Sequence, residues 1–187
     1  KMKKLLLFIT VLFFGISTIN AQDATYGYEK GDWVLGGGIT FGSMDLDGVE
    51  TKMNTIAPQA GYFLNENSAI GLSLGLLSTD VDGTKVSNTD FGVAYYNYFL
   101  DLGEKTKVWW GIGFGTTSGD SFDDAQTRIT SGFGMNYFMT EDIIVNFGLA
   151  NILAYVKEGD NSTMMIGWDG EIANMSATPT LSIFFKL

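Results

Sequence analysis

The chain has 187 residues, with 24 glycines, 2 prolines, no cysteine, no histidine, and 11 basic against 21 acidic residues for a formal net charge of −10. That acidity argues against nucleic acid as a partner, because phosphates reward basic surfaces. The missing cysteine excludes disulfides, thiolate metal sites and a lipid-anchored lipoprotein.

Lys1, Lys3 and Lys4 precede the apolar run Leu5 to Ile16, and Ala21 offers the small residue of a signal-peptidase site. The run is shorter than the roughly twenty residues a membrane helix needs, so residues 1–21 read as a secretory signal cut before Gln22. Residues 22–187 then form one domain. No later apolar run reaches membrane-helix length, which leaves a barrel as the only route into a bilayer.

Strand periodicity starts at Trp33. Trp33, Leu35, Gly37, Ile39 and Phe41 share one face, and Val34, Gly36, Gly38, Thr40 and Gly42 the other. The side-chain period of a strand is two, so this split is a bulky face against a small or polar one. It recurs at Ile56, Pro58, Ala60, Tyr62 and Leu64 against Ala57, Gln59, Gly61 and Phe63, then at Ile70, Leu72, Leu74 and Leu76 against Gly71, Ser73 and Gly75. Residues 91–99 are a strand whose aromatics fall on both faces, so its phase stays open. Val108, Trp110, Ile112 and Phe114 oppose Trp109, Gly111, Gly113 and Gly115, and Ile129, Phe133, Met135 and Tyr137 oppose Arg128, Thr130, Gly132, Gly134 and Asn136. Ile143, Val145, Phe147 and Leu149 oppose Ile144, Asn146, Gly148 and Ala150; Pro179, Leu181, Ile183, Phe185 and Leu187 oppose Thr178, Thr180, Ser182, Phe184 and Lys186. Eight antiparallel strands result.

No bulky-face position carries a charge, whereas the opposite face holds Gly, Thr, Ser, Asn, Gln, Arg128 and Lys186. A soluble barrel would show the reverse. In a bilayer a charge on the lipid face costs up to ~2–4 kcal/mol at the midplane, which accounts for the exclusion. The expected fold is therefore all-β, an eight-stranded antiparallel up-and-down transmembrane barrel. Leu35, Ile39, Phe41, Leu72, Leu74, Ile112, Phe114, Phe133, Val145, Phe147, Leu181 and Ile183 face lipid. Gln59, Arg128, Asn136, Asn146 and Lys186 face the lumen, with Arg128 paired to a lumenal carboxylate such as Asp90.

Connections alternate between short ones, near Asn65–Ser68, Asp101–Thr106 and Thr140–Asp142, and long polar ones, near Ser43–Asn54, Ser78–Asn88, Ser118–Gln126 and Lys157–Asn174. Short turns on one side and long loops on the other is the outer-membrane arrangement, with the turns periplasmic. The near-repeats YFLNEN at 62–67, YFLDLG at 98–103 and YFMTED at 137–142 each close an even strand before a short turn, where an outward tyrosine suits the headgroup region. Trp33, Tyr62, Trp110 and Tyr137 are the expected interfacial girdle. Eight strands leave an interior just wide enough for side chains to fill, and the inward glycines are expected to let Gln59, Phe63, Trp109, Phe184 and Lys186 close it.

Taken with the strand ends GYFL, NYFL and NYFM and the closing PTLSIFFKL, the mature chain resembles small outer-membrane barrels of the OmpX and OmpA-transmembrane type. The resemblance implies outer-membrane lipid, lipopolysaccharide and the barrel-assembly machinery as partners, a monomer, and no shared catalytic motif. Barrel enzymes use a histidine as base or triad member, and this chain has none. No enzymatic activity and no cofactor are expected.

Asp45 and Asp47, and Asp80 and Asp82, lie in two D-x-D-G stretches that are weak Ca²⁺ candidates; they lack the distal glutamate of an EF-hand loop, and Asp-Gly is an ordinary turn signal. The glycine runs at 36–38 and 111–115 have no following helix and so are not nucleotide loops. Met164-Met165-Ile166-Gly167-Trp168 reads as a strand extension beyond the membrane rather than an adhesive tip. The functional expectation is a structural or surface-interaction barrel with a filled lumen. The alternatives are an OmpW-like barrel passing small or hydrophobic solutes, and a soluble periplasmic ligand-binding barrel.

Overall fold

A computed structural model of the chain describes residues 26–46, 49–167 and 180–187. The expected signal segment, Asp47, Trp168, Thr178 and Pro179 lie outside the described residues. The strands are β1 (Trp33–Leu46), β2 (Val49–Asn65), β3 (Ser68–Val81), β4 (Thr84–Asp101), β5 (Thr106–Gly119), β6 (Gln126–Phe138), β7 (Ile143–Glu158), β8 (Asn161–Ile166) and β9 (Thr180–Lys186). Each pairs antiparallel with its neighbour from β1 to β7. β9 closes the ring by pairing with β7 through Ile143–Gly148 and with β1 through Val34–Gly37. Closure removes the open sheet edges that a bilayer does not tolerate.

The eighth position of this barrel is divided. β8 pairs with Leu153–Glu158 and β9 with Ile143–Gly148, both on the same edge of β7. The Met164–Ile166 stretch therefore extends the wall in a hairpin with β7, as expected, and Met164 and Ile166 stand exposed on it.

Two of the stretches expected as long loops are largely continued strand. β1 stays paired with β2 out to Leu46 and Val49, and β3 with β4 out to Val81 and Thr84. Their Thr, Ser, Val and Met residues suit a pleated, half-exposed ribbon, and each strand finds its partner across a tight turn. At Asp82-Gly83 both residues have positive φ, 50° and 84°, and Asp80 Oδ1 accepts the Gly83 N–H at 2.9 Å. The opposite end has only short connections, as read from the sequence.

The buried cluster sits at that short-turn end. It comprises Tyr28, Val34, Phe63, Ala69, Tyr98, Phe138 and Ile144, with Tyr26, Tyr96, Trp109 and Phe184 against it. Most large apolar side chains are instead exposed on the outer wall.

Candidate functional site

The two faces of the wall divide along the sequence alternation. Leu35, Ile39, Phe41, Leu72, Leu74, Ile112, Phe114, Leu181 and Ile183 stand exposed on the outside, and Phe133, Val145 and Phe147 lie half-buried in the same outward rows. The strand of open phase, β4, turns Phe91, Val93 and Tyr95 out and Gly92, Ala94, Tyr96 and Tyr98 in. A bulge between Tyr98 and Leu100 then leaves both Phe99 and Leu100 exposed. The three tyrosines of the near-repeat are thus not equivalent: Tyr62 and Tyr137 face out, whereas Tyr98 is buried in the lumen. On the outside, Trp33 meets its cross-strand partner Tyr62 with ring centroids 5.1 Å apart. Trp110 covers a serine in the outward row, donating its indole N–H to Ser131 Oγ at 3.0 Å.

Inside, glycines receive the larger inward side chains, as expected from the sequence. Large inward side chains pack against glycines of neighbouring strands. A Cβ at Gly134 would stand 2.1 Å from Trp109 Cζ2, one at Gly36 would stand 2.7 Å from Phe184 Cδ1, and Tyr96 lies within 2.8 Å of both the Gly71 and Gly111 positions. A cavity of about 540 Å³ runs through the lumen, bordered by Gln59, Ser73, Tyr96, Trp109, Arg128 and Thr130 among others. The buried aromatic cluster borders this cavity.

The cluster joins Phe63, Asn136, Asn146 and Lys186, all expected inside, to Tyr98 and a segment ahead of β1 that the alternation did not place. The segment Tyr26 to Asp32, just ahead of β1, turns into the barrel mouth, where Gly31 N–H donates to Phe63 O and Phe63 N–H to Asp32 O, both at 2.9 Å. Tyr28 stacks on Phe63 with centroids 3.8 Å apart and contacts the Tyr98 and Phe138 rings at 5.0 and 5.1 Å. Asn136 donates to the Tyr28 hydroxyl at 2.5 Å and the Tyr98 hydroxyl at 3.1 Å, while Asn146 donates to Asn136 Oδ1 at 2.5 Å. Lys186 Nζ donates to Gly27 O at 3.2 Å. Burial pushes the Tyr28 phenol well above its usual pKa, so it stays neutral inside the plug. The available signal was the Tyr26-Gly27-Tyr28 alternation directly before β1.

At the other end of the cavity, Arg128 pairs with Asp90, as expected. Nη2 donates to Asp90 Oδ1 at 2.7 Å, Nη1 donates to Oδ2, and Thr117 Oγ1 takes part through bonds of 2.8 Å from Nη1 and 2.7 Å to Oδ2. Gln59 lies on the cavity wall, so the lumenal residues divide into plug (Asn136, Asn146, Lys186), wall (Gln59) and ion pair (Arg128). Trp109 Nε1 is buried and has no hydrogen-bond partner among the described residues. Asp80 spends one oxygen on its turn, and among the described residues no three acidic side chains converge on a metal-sized site.

A closed antiparallel barrel with an apolar exterior is what outer-membrane proteins present to lipid, and the model for the outer membrane protein beta-barrel domain matches residues 9–168. The chain belongs to that family. This small outer-membrane barrel is similar in fold to the N-terminal β-barrel domain of Pseudomonas aeruginosa OprF, at 14% identity and a TM-score of 0.50, covering 85% of this chain and 98% of that one. OprG from Pseudomonas aeruginosa also matches, at 14% identity and a TM-score of 0.49, covering 88% of this chain and 92% of that one. No curated protein matches it.

Proposed function

We propose that this outer-membrane barrel is a non-enzymatic, non-conducting envelope protein with a structural or surface-interaction role. One observation carries the reading: the Tyr28, Phe63, Tyr98 and Phe138 rings form a buried cluster at the short-turn end, with Asn136 bonded to the Tyr28 and Tyr98 hydroxyls. Stacked rings whose hydroxyls are hydrogen-bonded support a closed end. The absence of histidine from the chain supports a non-catalytic role.

In this reading the segment 1–21 is removed as a secretory signal on the way out, the short turns face the periplasm, and the barrel-assembly machinery inserts a monomer. Trp33, Tyr62, Trp110 and Tyr137 ring the periplasmic interface, and the exposed outer rows meet lipid and lipopolysaccharide. The test is planar-bilayer conductance of refolded protein whose gel mobility shifts on boiling. Silent wild-type barrels are expected; steady channels would overturn the reading. The cavity above the plug favours a second reading, a narrow barrel that passes small or hydrophobic solutes, and channels or solute flux in that experiment would establish it.

A further inference from the structure

One ring of the aromatic cluster comes from a chain segment that the wall does not need. Every strand pairing of the ring of strands lies between Trp33 and Lys186, whereas Tyr28, which contacts Phe63, Tyr98 and Phe138, lies ahead of β1. We propose that residues 26–31 form a detachable strap, an autoinhibitory contact that docks and undocks as a unit while the barrel stays folded, and that its release opens the cavity toward the short-turn side. The inference rests on the closed-end reading for what the strap controls, and on the segment's own geometry for its being detachable.

The strap is turned at its base. Glu29 to Asp32 form a tight turn in which Asp32 N–H donates to Glu29 O at 3.2 Å and Glu29 N–H donates to Asp32 Oδ2 at 2.8 Å. Gly31 takes the third position of that turn with a φ of 101°, a conformation that suits glycine, and a Cβ there would meet nothing within 4 Å. The turn is therefore a hinge in open space.

Beyond the hinge the strap inserts a single side chain. Tyr28 is buried, whereas Glu29, Lys30 and Gly31 are exposed and Tyr26 and Gly27 half-buried, so withdrawal takes one ring out of the cluster. Its tip is latched by side chains of two strands and a turn. Asn136 on β6 donates to the Tyr28 hydroxyl at 2.5 Å, Lys186 on β9 donates to the Gly27 carbonyl at 3.2 Å, and Lys105 lies 4.5 Å over the Tyr26 ring. Because these are side-chain attachments, losing one weakens docking without unpairing a strand.

Trypsin cleavage at Lys30–Gly31 measures release. In the docked strap the N–H of that bond donates to Phe63 O at 2.9 Å, and when release and redocking are fast, cleavage tracks the released population. Refolded full mature barrel in detergent is digested, the cut is timed by mass spectrometry, and its rate is divided by that of a free peptide with the same residues 26–36. Wild type is expected to be cut far more slowly than its peptide. Gly31→Ala strains the docked turn and Lys186→Met removes the latch bond while keeping most of the stem; each is expected to raise the ratio roughly tenfold. Gly103→Ala is the control, because Gly103 has a φ of 71° and equal room in the turn between β4 and β5, away from the strap, and it is expected to leave the ratio unchanged.

Each variant is first checked for the heat-dependent gel shift, and Gly31→Ala stands alone if Lys186→Met does not fold. Wild type cut as fast as its peptide, an unchanged ratio in Gly31→Ala, or an equal rise in Gly103→Ala would overturn the strap, as would loss of the gel shift once Lys30–Gly31 is cut. Conductance separates this claim from the closed end: a cut barrel that keeps its gel shift and stays silent refutes the strap's control of the lumen, and uncut wild type that conducts steadily refutes the closed end alone.

Discussion

Arg128 on β6 reaches Asp90 on β4 by lying across Gly115 on the strand between them. A Cβ at Gly115 would stand 2.7 Å from Arg128 Nη2, so the ion pair depends on a side chain that is not there. The two partners are 27% and 18% exposed, enough burial for a lone charge to be costly and too little to be prohibitive.

Asp90→Ala leaves the guanidinium half-buried and unpaired, and is expected to cost about 1–2 kcal/mol. Adding Arg128→Leu should recover most of that loss. Gly115→Val, which evicts the guanidinium, should resemble Asp90→Ala. Urea unfolding in detergent, followed by tryptophan fluorescence, measures all three; a double variant no better than the single would show that the pair is not what Asp90 contributes.

Glycines of the inner wall divide by what they receive. At Gly134 a Cβ meets Trp109 Cζ2 at 2.1 Å and the Phe147 carbonyl at 2.4 Å, and backbone cannot step aside, so Gly134→Ala is expected to cost about 1–3 kcal/mol. Gly38→Ala meets open space and should be neutral or stabilise by about 0.4–1 kcal/mol through the unfolded chain. Equal effects in the same unfolding assay would contradict the notch geometry.

Leu74 is on the outer wall and its neighbour Ser73 borders the cavity. Leu74→Arg should impair folding into vesicles by about 2–4 kcal/mol, the cost of a cation facing the bilayer midplane, and Ser73→Arg should be milder. Folded fractions read from unboiled gels check this, and equal impairment would mean that the faces are misassigned.

Tyr28 holds the plug together, so Tyr28→Ala should turn silent barrels into leaky ones in planar bilayers while the heat-dependent gel shift persists. Its titration has a sign as well. With the folded pKa raised by burial, the native plug keeps a proton that the released segment gives up above about pH 10. The stabilisation is complete below that pH and declines as pH rises beyond it. Leakage that grows on going above pH 10, and grows less in Tyr28→Phe, is the expected result.

Much of the outside of this protein was legible from order alone, because a strand points successive side chains to opposite faces whatever surrounds it. Leu35, Ile39 and Phe41, or Leu72 and Leu74, needed only their spacing to be placed on one wall, and Arg128 and Asp90 could be matched as the arginine and a carboxylate of the inner one. β4 resisted because its aromatics occupy both faces and its bulge at Tyr98 breaks the alternation, so the inward turn of Tyr98 emerged only from pairing with β3 and β5.

The sequence by itself determined the strand periods, the barrel class, the apolar exterior and the short-turn end. Only the tertiary structure decided how the interior is filled. Where Trp109 and Tyr96 find room depends on glycines in other strands, brought alongside by register. Whether the barrel mouth is open depends on Tyr28 reaching Asn136, far away along the chain. Facing is a local property of the backbone, whereas volume is a property of neighbours, and neighbours exist only once the sheet has closed.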